Sequence, residues 1–315
     1  MGGTVRLAAI DIGTVTTRLL VADVGPGGVA EVGRSTDITH LGEGLTSSGR
    51  LSADAMNRVA DVIARYADTM AELDVVRFQA LATSASRDAE NGSEFTALLA
   101  SRGVVPSIIE GSREAELAFL GATAQIGGEG LLVVDCGGGS TELVVGSADH
   151  SGPELVVDIE AARSIDVGSR RMTEMFLHSD PPTRNEIAEA RGWAADELRG
   201  FFDRLDERPT QMIGLAGTAT TLAAVRLEMA VYDPARVHGF ELSGADISDE
   251  VELLAALPLE RRRRVVGVHP QRAGVIVAGA LILETVLALA GLDSMVVSEH
   301  DILYGILLDT YRDLQ

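Results

Sequence analysis

Two stretches of the chain read alike, and this repeat constrains the fold more than any other feature. Residues 6–24 run RLAAIDIGTVTTRLLVADV and residues 130–147 run GLLVVDCGGGSTELVVGS. Each is an apolar strand, then Asp-x-Gly, a turn of small and hydroxyl residues, then a second apolar strand. Two β-hairpins with the same acidic tip, one per half, predict two similar domains facing each other across a cleft. The 315 residues are long for one domain and natural for two. A Gly-rich link at 127–130 marks the boundary. Residues 1–126 form the expected first domain and 127–299 the second, with a last helix at about 300–315 able to pack back on the first.

The stretches around the hairpins mix helices and strands. Helical spacing over 52–73 starts at Ser52, a natural N-cap. A short strand over 76–81 leads into Ala82-Thr83-Ser84-Ala85-Ser86-Arg87. A helix over 93–102, a strand over 104–109 weakened by Pro106, and a helix over 112–124 complete the first half. The second half reads as a strand over 155–160, helices over 168–176, 185–205, 218–228 and 272–290, a strand over 295–298 and a final helix. The class is α/β.

Composition excludes several functions. At 46% apolar and 23% charged, the chain can bury a core. Its net charge of −21 and pI near 4.6 argue against a general nucleic-acid binder, which needs a basic footprint. All 26 basic residues are Arg. That rules out a P-loop Lys, a Schiff-base Lys and a Lys general base, and leaves anion binding to Arg, backbone N–H groups or a metal. The single Cys, Cys136, forbids an intrachain disulfide, and no Cys/His spacing fits zinc. The first residues show no cationic region followed by an apolar stretch and a small-residue cleavage site, so no secretion signal is expected. The longest apolar run, near 273–292, is broken by Gly279, Glu284 and Gly291, so it reads as a buried helix and not a membrane span. A soluble, cytoplasmic chain with no nucleic-acid or membrane partner is expected.

The chemistry concentrates in three turns. In Asp135-Cys136-Gly137-Gly138-Gly139-Ser140-Thr141-Glu142, three glycines clear every side chain from the turn, so their N–H groups can approach an anion closely. Ser140 and Thr141 add hydroxyl donors. Asp135 and Glu142 flank the turn with the hard oxygen ligands that Mg²⁺ prefers. Asp11-Ile12-Gly13-Thr14-Val15 repeats this more weakly, with Asp11 at the acidic position. The third element, Ile213-Gly214-Leu215-Ala216-Gly217-Thr218, joins an apolar strand to a helix start, where Gly217 and Thr218 offer N–H and hydroxyl groups to an anion or nucleotide.

These three turns, in this order, resemble the phosphate-1, phosphate-2 and adenosine motifs of the actin, sugar-kinase and heat-shock-chaperone superfamily. More closely, the chain resembles the exopolyphosphatase/guanosine-pentaphosphate phosphohydrolase family, in its short two-domain form. The match includes AAIDIG (8–13), LGEGL (41–45), ATSASRDA (82–89), DCGGGSTEL (135–143), GLAGTATTLA (214–223), YDPARVHG (232–239) and SEHDI (298–302). The resemblance implies two ribonuclease-H-like domains and cleavage of terminal phosphates. Glu114, in GSREAELAFLGA, matches the family's general base; spacing alone leaves Glu110 and Glu116 as rivals. Arg87 matches a phosphate-contacting Arg.

The expectation is an exopolyphosphatase dependent on Mg²⁺ or Mn²⁺. Asp11, Asp135 and Glu142 would hold the metal. Gly13, Thr14, Arg87, Gly137, Gly138, Gly139, Ser140, Thr141, Gly217 and Thr218 would bind phosphate. Guanosine pentaphosphate (pppGpp) is the alternative substrate to polyphosphate. A polyphosphate- or alarmone-binding protein without activity and a kinase-like ATPase are the remaining readings. Arg163 and Arg171 match a second-domain segment near the cleft, His238 falls in the YDP…HG segment, and Arg261–Arg264 is the one dense basic run. Val15, His40, Gly274 and Leu303 depart from the family pattern. The resemblance implies a homodimer, and the apolar helix near the C-terminus could bury its face in a partner.

Overall fold

A computed structural model of the chain describes residues 3–152 and 155–315. The chain divides into two compact units. The first comprises Met1–Gly127, Asp149–Val156 and Asp301–Gln315, and the second Gly128–Ala148 and Val157–His300.

The first unit holds strands β1 (Val5–Ile12), β2 (Thr16–Gly25), β3 (Gly28–Ile38), β4 (Arg77–Ala82) and β5 (Ser107–Ile108). Its helices are α1 (Leu45–Ser48), α2 (Ala53–Glu72), α3 (Ser84–Asp88), α4 (Gly92–Ala100) and α5 (Gly111–Ala122). The second unit carries β6 (Gly128–Cys136), β7 (Thr141–Asp149), β8 (Val156–Ile165), β9 (Gln211–Leu215), β10 (Glu241–Ser243) and β11 (Ser294–Val297). Its helices are α6 (Ser169–Phe176), α7 (Arg184–Phe202), α8 (Ala216–Arg226), α9 (Pro234–Val237), α10 (Gly244–Ala255), α11 (Leu259–Arg262) and α12 (Ile276–Ala290). The last helix, α13 (Ile302–Arg312), belongs to the first unit.

The two sheets repeat one topology. The first has strand order β3-β2-β1-β4-β5, with β1–β2 and β2–β3 antiparallel and β1–β4 and β4–β5 parallel. The second, read from its other edge, is β8-β7-β6-β9-β11, with β6–β7 antiparallel and β6–β9 and β9–β11 parallel. The short β10 adds an antiparallel edge. This is the ribonuclease-H-like arrangement twice, and it realises the α/β class.

Strand alternation decides what each face of the first sheet meets. Ala8, Ile10 and Ile12 of β1 pack on one side with Val59, Ile63 and Tyr66 of α2. Leu7 and Ala9 face the other side, with Leu117 of α5 and Ile302, Leu303 and Ile306 of α13. Asp11 continues that second row, so the strand aims it at the ends of α5 and α13. These two helices meet backbone to backbone. A Cβ on Gly305 would lie 1.9 Å from the Leu117 carbonyl oxygen, and one on Gly121 would lie 1.8 Å from that of Asp301.

Some elements differ from the sequence expectation. The strand over 104–109 shrinks to β5, because Pro106 has no N–H to give a ladder. Helix α12 is buried within its own unit except at Glu284, Ala288 and Leu289, so its apolarity comes from the core and leaves no face for a partner. Leu303 is fully buried in the first unit's core. Within the described residues, no helix is long and apolar enough to cross a membrane.

Candidate active site

In the first unit, the candidate residues gather at the C-terminal ends of the parallel strands, the usual place for a site in such sheets. Asp11, one residue before the end of β1, pairs with Leu81 of β4. Helix α3 follows β4 and carries Arg87; α5 follows β5 and carries Glu114. Arg87 Nη1 donates to Glu114 Oε2 at 3.1 Å and to the Ile109 carbonyl at 2.9 Å. Burial separates Glu114 from its rivals: Glu110 and Glu116 are exposed, and Glu116 pairs with Arg113 at 3.1 Å. Burial, then the Asp11 carboxylate, push Glu114 up to about 7, against Arg87 and Thr83, which pull it down. A carboxylate at that level suits general-base work near neutral pH.

The sequence reasoning passed over Arg18 and Asp301. Arg18 stands opposite Asp11 in the β1–β2 register. It donates to Asp11 Oδ2 from Nε at 3.0 Å and from Nη2 at 2.6 Å, and its Nη1 bonds to Asp301. Asp301 also caps α13, accepting from Leu303 N at 3.0 Å. The signal was present in the repeat: Arg18 follows Asp11 at the spacing by which Glu142 follows Asp135. The second hairpin thus sets two carboxylates opposite each other, Asp135 against Glu142, where the first sets a carboxylate against a guanidinium.

Each turn has its carbonyls tied from behind. In the first, Thr14 O accepts from Gly42 N, and Val15 O accepts from Thr39 N and His40 N, all at 2.9 Å. The donors are Thr39, His40 and Gly42, at the start of the LGEGL segment and just before it. A Cβ on Gly42 would lie 2.3 Å from Thr14 Cγ2, and His40 takes a left-handed φ of 50° to make its bond. In the second, Gly137 O accepts from Ser169 N at 2.9 Å, and Gly138 O accepts from Arg170 N at 2.9 Å and Arg171 N at 3.1 Å. Gly139 O accepts from Arg171 Nε at 2.8 Å. Among the described residues, no protein acceptor meets the N–H groups of Thr14, Val15, Gly138, Gly139 and Ser140.

The hydroxyls of the second turn are engaged. Glu142 Oε1 accepts from Ser140 Oγ at 2.8 Å and from Ser164 Oγ at 2.7 Å. Thr141 Oγ1 donates to Val167 O at 2.5 Å. Thr218 lies against Cys136, on the face of the strand opposite Asp135 and Glu142, and packs on Gly279 of α12, where a Cβ would stand 2.4 Å from its Oγ1. Arg272 covers Gly217 and donates to its carbonyl at 3.2 Å. Ala216 enters α8 at a φ of 63°. Gly217 and Thr218 therefore sit in close internal packing beside the second hairpin's core face.

The remaining candidates fall elsewhere. Arg163 is exposed on β8. His238 stacks on His300 at 4.3 Å between centroids, and burial lowers its pKa. In the basic run, Arg262 is buried and donates to three carbonyls, and Arg263 pairs with Glu260 at 2.5 Å.

As a metal centre, Asp135 and Glu142 fit Mg²⁺ better than Asp11 does. They are hard oxygen donors opposite each other in the β6–β7 register and bonded to neutral hydroxyls, whereas Asp11 is ion-paired with the Arg18 guanidinium at 2.6 Å, a positive charge that a cation would have to displace. Among the described residues no three His, Cys, Asp or Glu side chains form a cage. Mg²⁺ does not need one, since it keeps waters and substrate phosphates in its shell.

Comparison with known proteins gives the family. The chain is 38% identical to exopolyphosphatase 2 of Mycobacterium tuberculosis over 320 aligned positions, covering 96% of this chain and 98% of that protein. A solved exopolyphosphatase-like protein superposes with a TM-score of 0.92 at 35% identity, over all of both chains. The crystal structure of the Aquifex aeolicus Ppx/GppA family member superposes with a TM-score of 0.81 at 31% identity, over 99% of each. The profile of the Ppx/GppA phosphatase family matches residues 20–313. With two ribonuclease-H-like units, a Gly-rich turn in its second hairpin and a buried carboxylate on α5, this hydrolase belongs to the Ppx/GppA phosphatase family.

Proposed function

We propose that the chain releases terminal orthophosphate from inorganic polyphosphate. The observation that carries the reaction is Glu114, buried, held by Arg87 and poised near neutral pH. The substrate class rests on the likeness to the M. tuberculosis exopolyphosphatase.

The N–H group of Thr14, the Arg87 guanidinium and the N–H groups of Gly138, Gly139 and Ser140 bind phosphate oxygens, while Gly13, whose own N–H donates to Thr16 O at 2.9 Å, shapes the first turn. Gly137 shapes the second turn, Thr141 ties it to Val167, Thr218 packs on Cys136 at its base, and Gly217 lies under Arg272 at the start of α8. Asp135 and Glu142 would hold Mg²⁺ or Mn²⁺, which would supply charge neutralisation on the phosphate oxygens, while Asp11 is kept in place by Arg18. Glu114 accepts a proton from water as the water oxygen bonds to the terminal phosphorus. The bond from that phosphorus to the bridging oxygen breaks, and the shortened chain leaves with that oxygen. Phosphoryl transfer needs positioning and charge neutralisation above all, and this set offers both without a Lys.

The test is phosphate release from long polyphosphate, short polyphosphate and pppGpp, with Mg²⁺ and with EDTA, by wild type and Glu114→Gln. Metal-dependent release from polyphosphate that falls by roughly 10²–10⁴-fold in the variant is expected. Release from pppGpp alone would reassign the substrate. Activity of Glu114→Gln within a few-fold of wild type would refute the base.

A further inference from the structure

The second turn owes its shape to α6, and two of the ties are side chains: Ser169 Oγ, which donates to the Gly137 carbonyl at 3.1 Å beside the backbone N–H of the same residue, and Arg171. In a trans peptide the C=O and the following N–H point in opposite directions. The carbonyls of Gly137, Gly138 and Gly139 all turn towards the start of α6, where Ser169 N, Arg170 N, Arg171 N and Arg171 Nε receive them. The N–H groups of Gly138, Gly139 and Ser140 must then point away from α6, together. Three successive N–H groups on one side make an anion-binding concavity. The fit is close. A Cβ on Gly168 would lie 2.4 Å from the Gly139 carbonyl carbon and 2.5 Å from the carbonyl oxygen of Gly138, so the helix start lies directly on the turn's backbone.

Two of the three peptide planes are fixed by backbone donors. The third, Gly139–Ser140, is fixed by Arg171 Nε at 2.8 Å, with the guanidinium also 3.7 Å from Asp166. The glycine at 139 offers no side-chain barrier of its own to rotation of that peptide. We propose that Arg171 is a positioning residue: it holds the Gly139 carbonyl on the α6 side and so keeps the Ser140 N–H presented to phosphate. This rests on reading the turn as a phosphate cradle. It also gives Arg171 a different task from a direct phosphate contact.

The experiment follows the backbone amide resonances of Gly138, Gly139 and Ser140 in the full chain, with inorganic phosphate as probe. The proteins are wild type, Arg171→Met, Arg171→Lys and Asp166→Asn. In wild type, phosphate moves all three amides. In Arg171→Met, the Ser140 amide shifts or broadens before phosphate is added, and phosphate affinity drops about tenfold, the scale of one lost hydrogen bond. Arg171→Lys recovers most of both. Asp166→Asn, which removes only the exposed ion pair, behaves as wild type.

A Ser140 amide that stays in place in free Arg171→Met overturns the proposal; if affinity falls all the same, Arg171 is a direct phosphate ligand. Wild-type amides that ignore phosphate overturn the cradle reading and the proposal with it, an outcome recognised without any substitution. Arg171→Gln, with a shorter donor, provides the same comparison if the Met variant does not fold.

Discussion

Replacing Arg262 by Met tests how the basic run at 261–264 is used. Arg262 is 5% exposed. Its Nε donates to Leu254 O at 2.8 Å, Nη1 to Ala273 O at 3.0 Å and Nη2 to Leu257 O at 2.8 Å. One guanidinium therefore joins the end of α10, the loop after it and the approach to α12. Each carbonyl left unmade in the interior costs roughly 1–3 kcal/mol, and three cost roughly 3–9. Removing the guanidinium also removes its own desolvation penalty, visible in a pKa lowered by burial, and that offsets several kcal/mol. The net loss is about 2–5 kcal/mol. For a unit of this size it appears as a fall of roughly 5–15 °C in the melting temperature. Thermal unfolding followed by circular dichroism measures it, with Arg261→Met and Arg264→Met as controls expected within about 0.5 kcal/mol of wild type. If Arg262→Met melts with those controls, the three bonds do not matter to stability and the account of the run is wrong.

Further outcomes follow from other sites. Because the water-activating form of Glu114 is the deprotonated one and its pKa is pushed up to about 7, kcat/KM should rise with pH through that value. Removing the lowering influence of Arg87 in Arg87→Met should move the rising limb to higher pH; a limb that stays put would mean another group titrates. Glu250 is buried with neither carboxyl oxygen bonded, and burial raises it to about 8 from 4.5. The folded state thus binds the proton more tightly, so stability falls as pH climbs from about 4.5 to about 8. Glu250→Met should stabilise by about 1–3 kcal/mol at pH 9 and not at pH 4, read by urea titration at both. Cys136 is buried with its thiol raised to about 12, so a thiol reagent at pH 8 should label it only after denaturation. Gly305→Ala would drive a Cβ to 1.9 Å from Leu117 O; a loss of more than about 2 kcal/mol in thermal unfolding is expected, and a neutral result would refute the backbone contact.

The parts of the fold legible in the sequence were those with a strong local pattern. The two hairpins stood out because Asp-x-Gly lay between apolar strands each time. Helix α2 was marked by Ser52, whose side chain accepts from Ala55 N. Strand β3 went unread because its sequence, GVAEVGRSTDI, is polar and half exposed at the sheet edge, so no alternation shows. Helix α10 went unread although Ser243 and Asp246 form a capping box. Among site residues, glycine runs and motif matches drew attention to groups that would touch phosphate. They said little about Arg18, Asp301, Gly42 and Gly168, which act on the turns from behind. Those contacts join residues far apart in sequence, and only the repeat spacing hinted at Arg18. Arg87 illustrates the limit in another way: the family resemblance implied a phosphate partner, and the structure pairs it with Glu114.

The first unit's discontinuity in sequence has a consequence for the order of folding during synthesis. Its apolar face of Leu7, Leu20 and Leu81 is covered by Ile302, Leu303 and Ile306, and Arg18 receives Asp301 from the same segment. At roughly 5–20 residues per second, the ribosome reaches that segment about 10–40 seconds after finishing residue 127. During that interval the second unit's sheet can close, apart from its last strand β11, while the hairpin bearing Asp11 waits with one face open to solvent. The emerging chain is thus exposed to chaperones and to aggregation through strands made long before the helix that covers them.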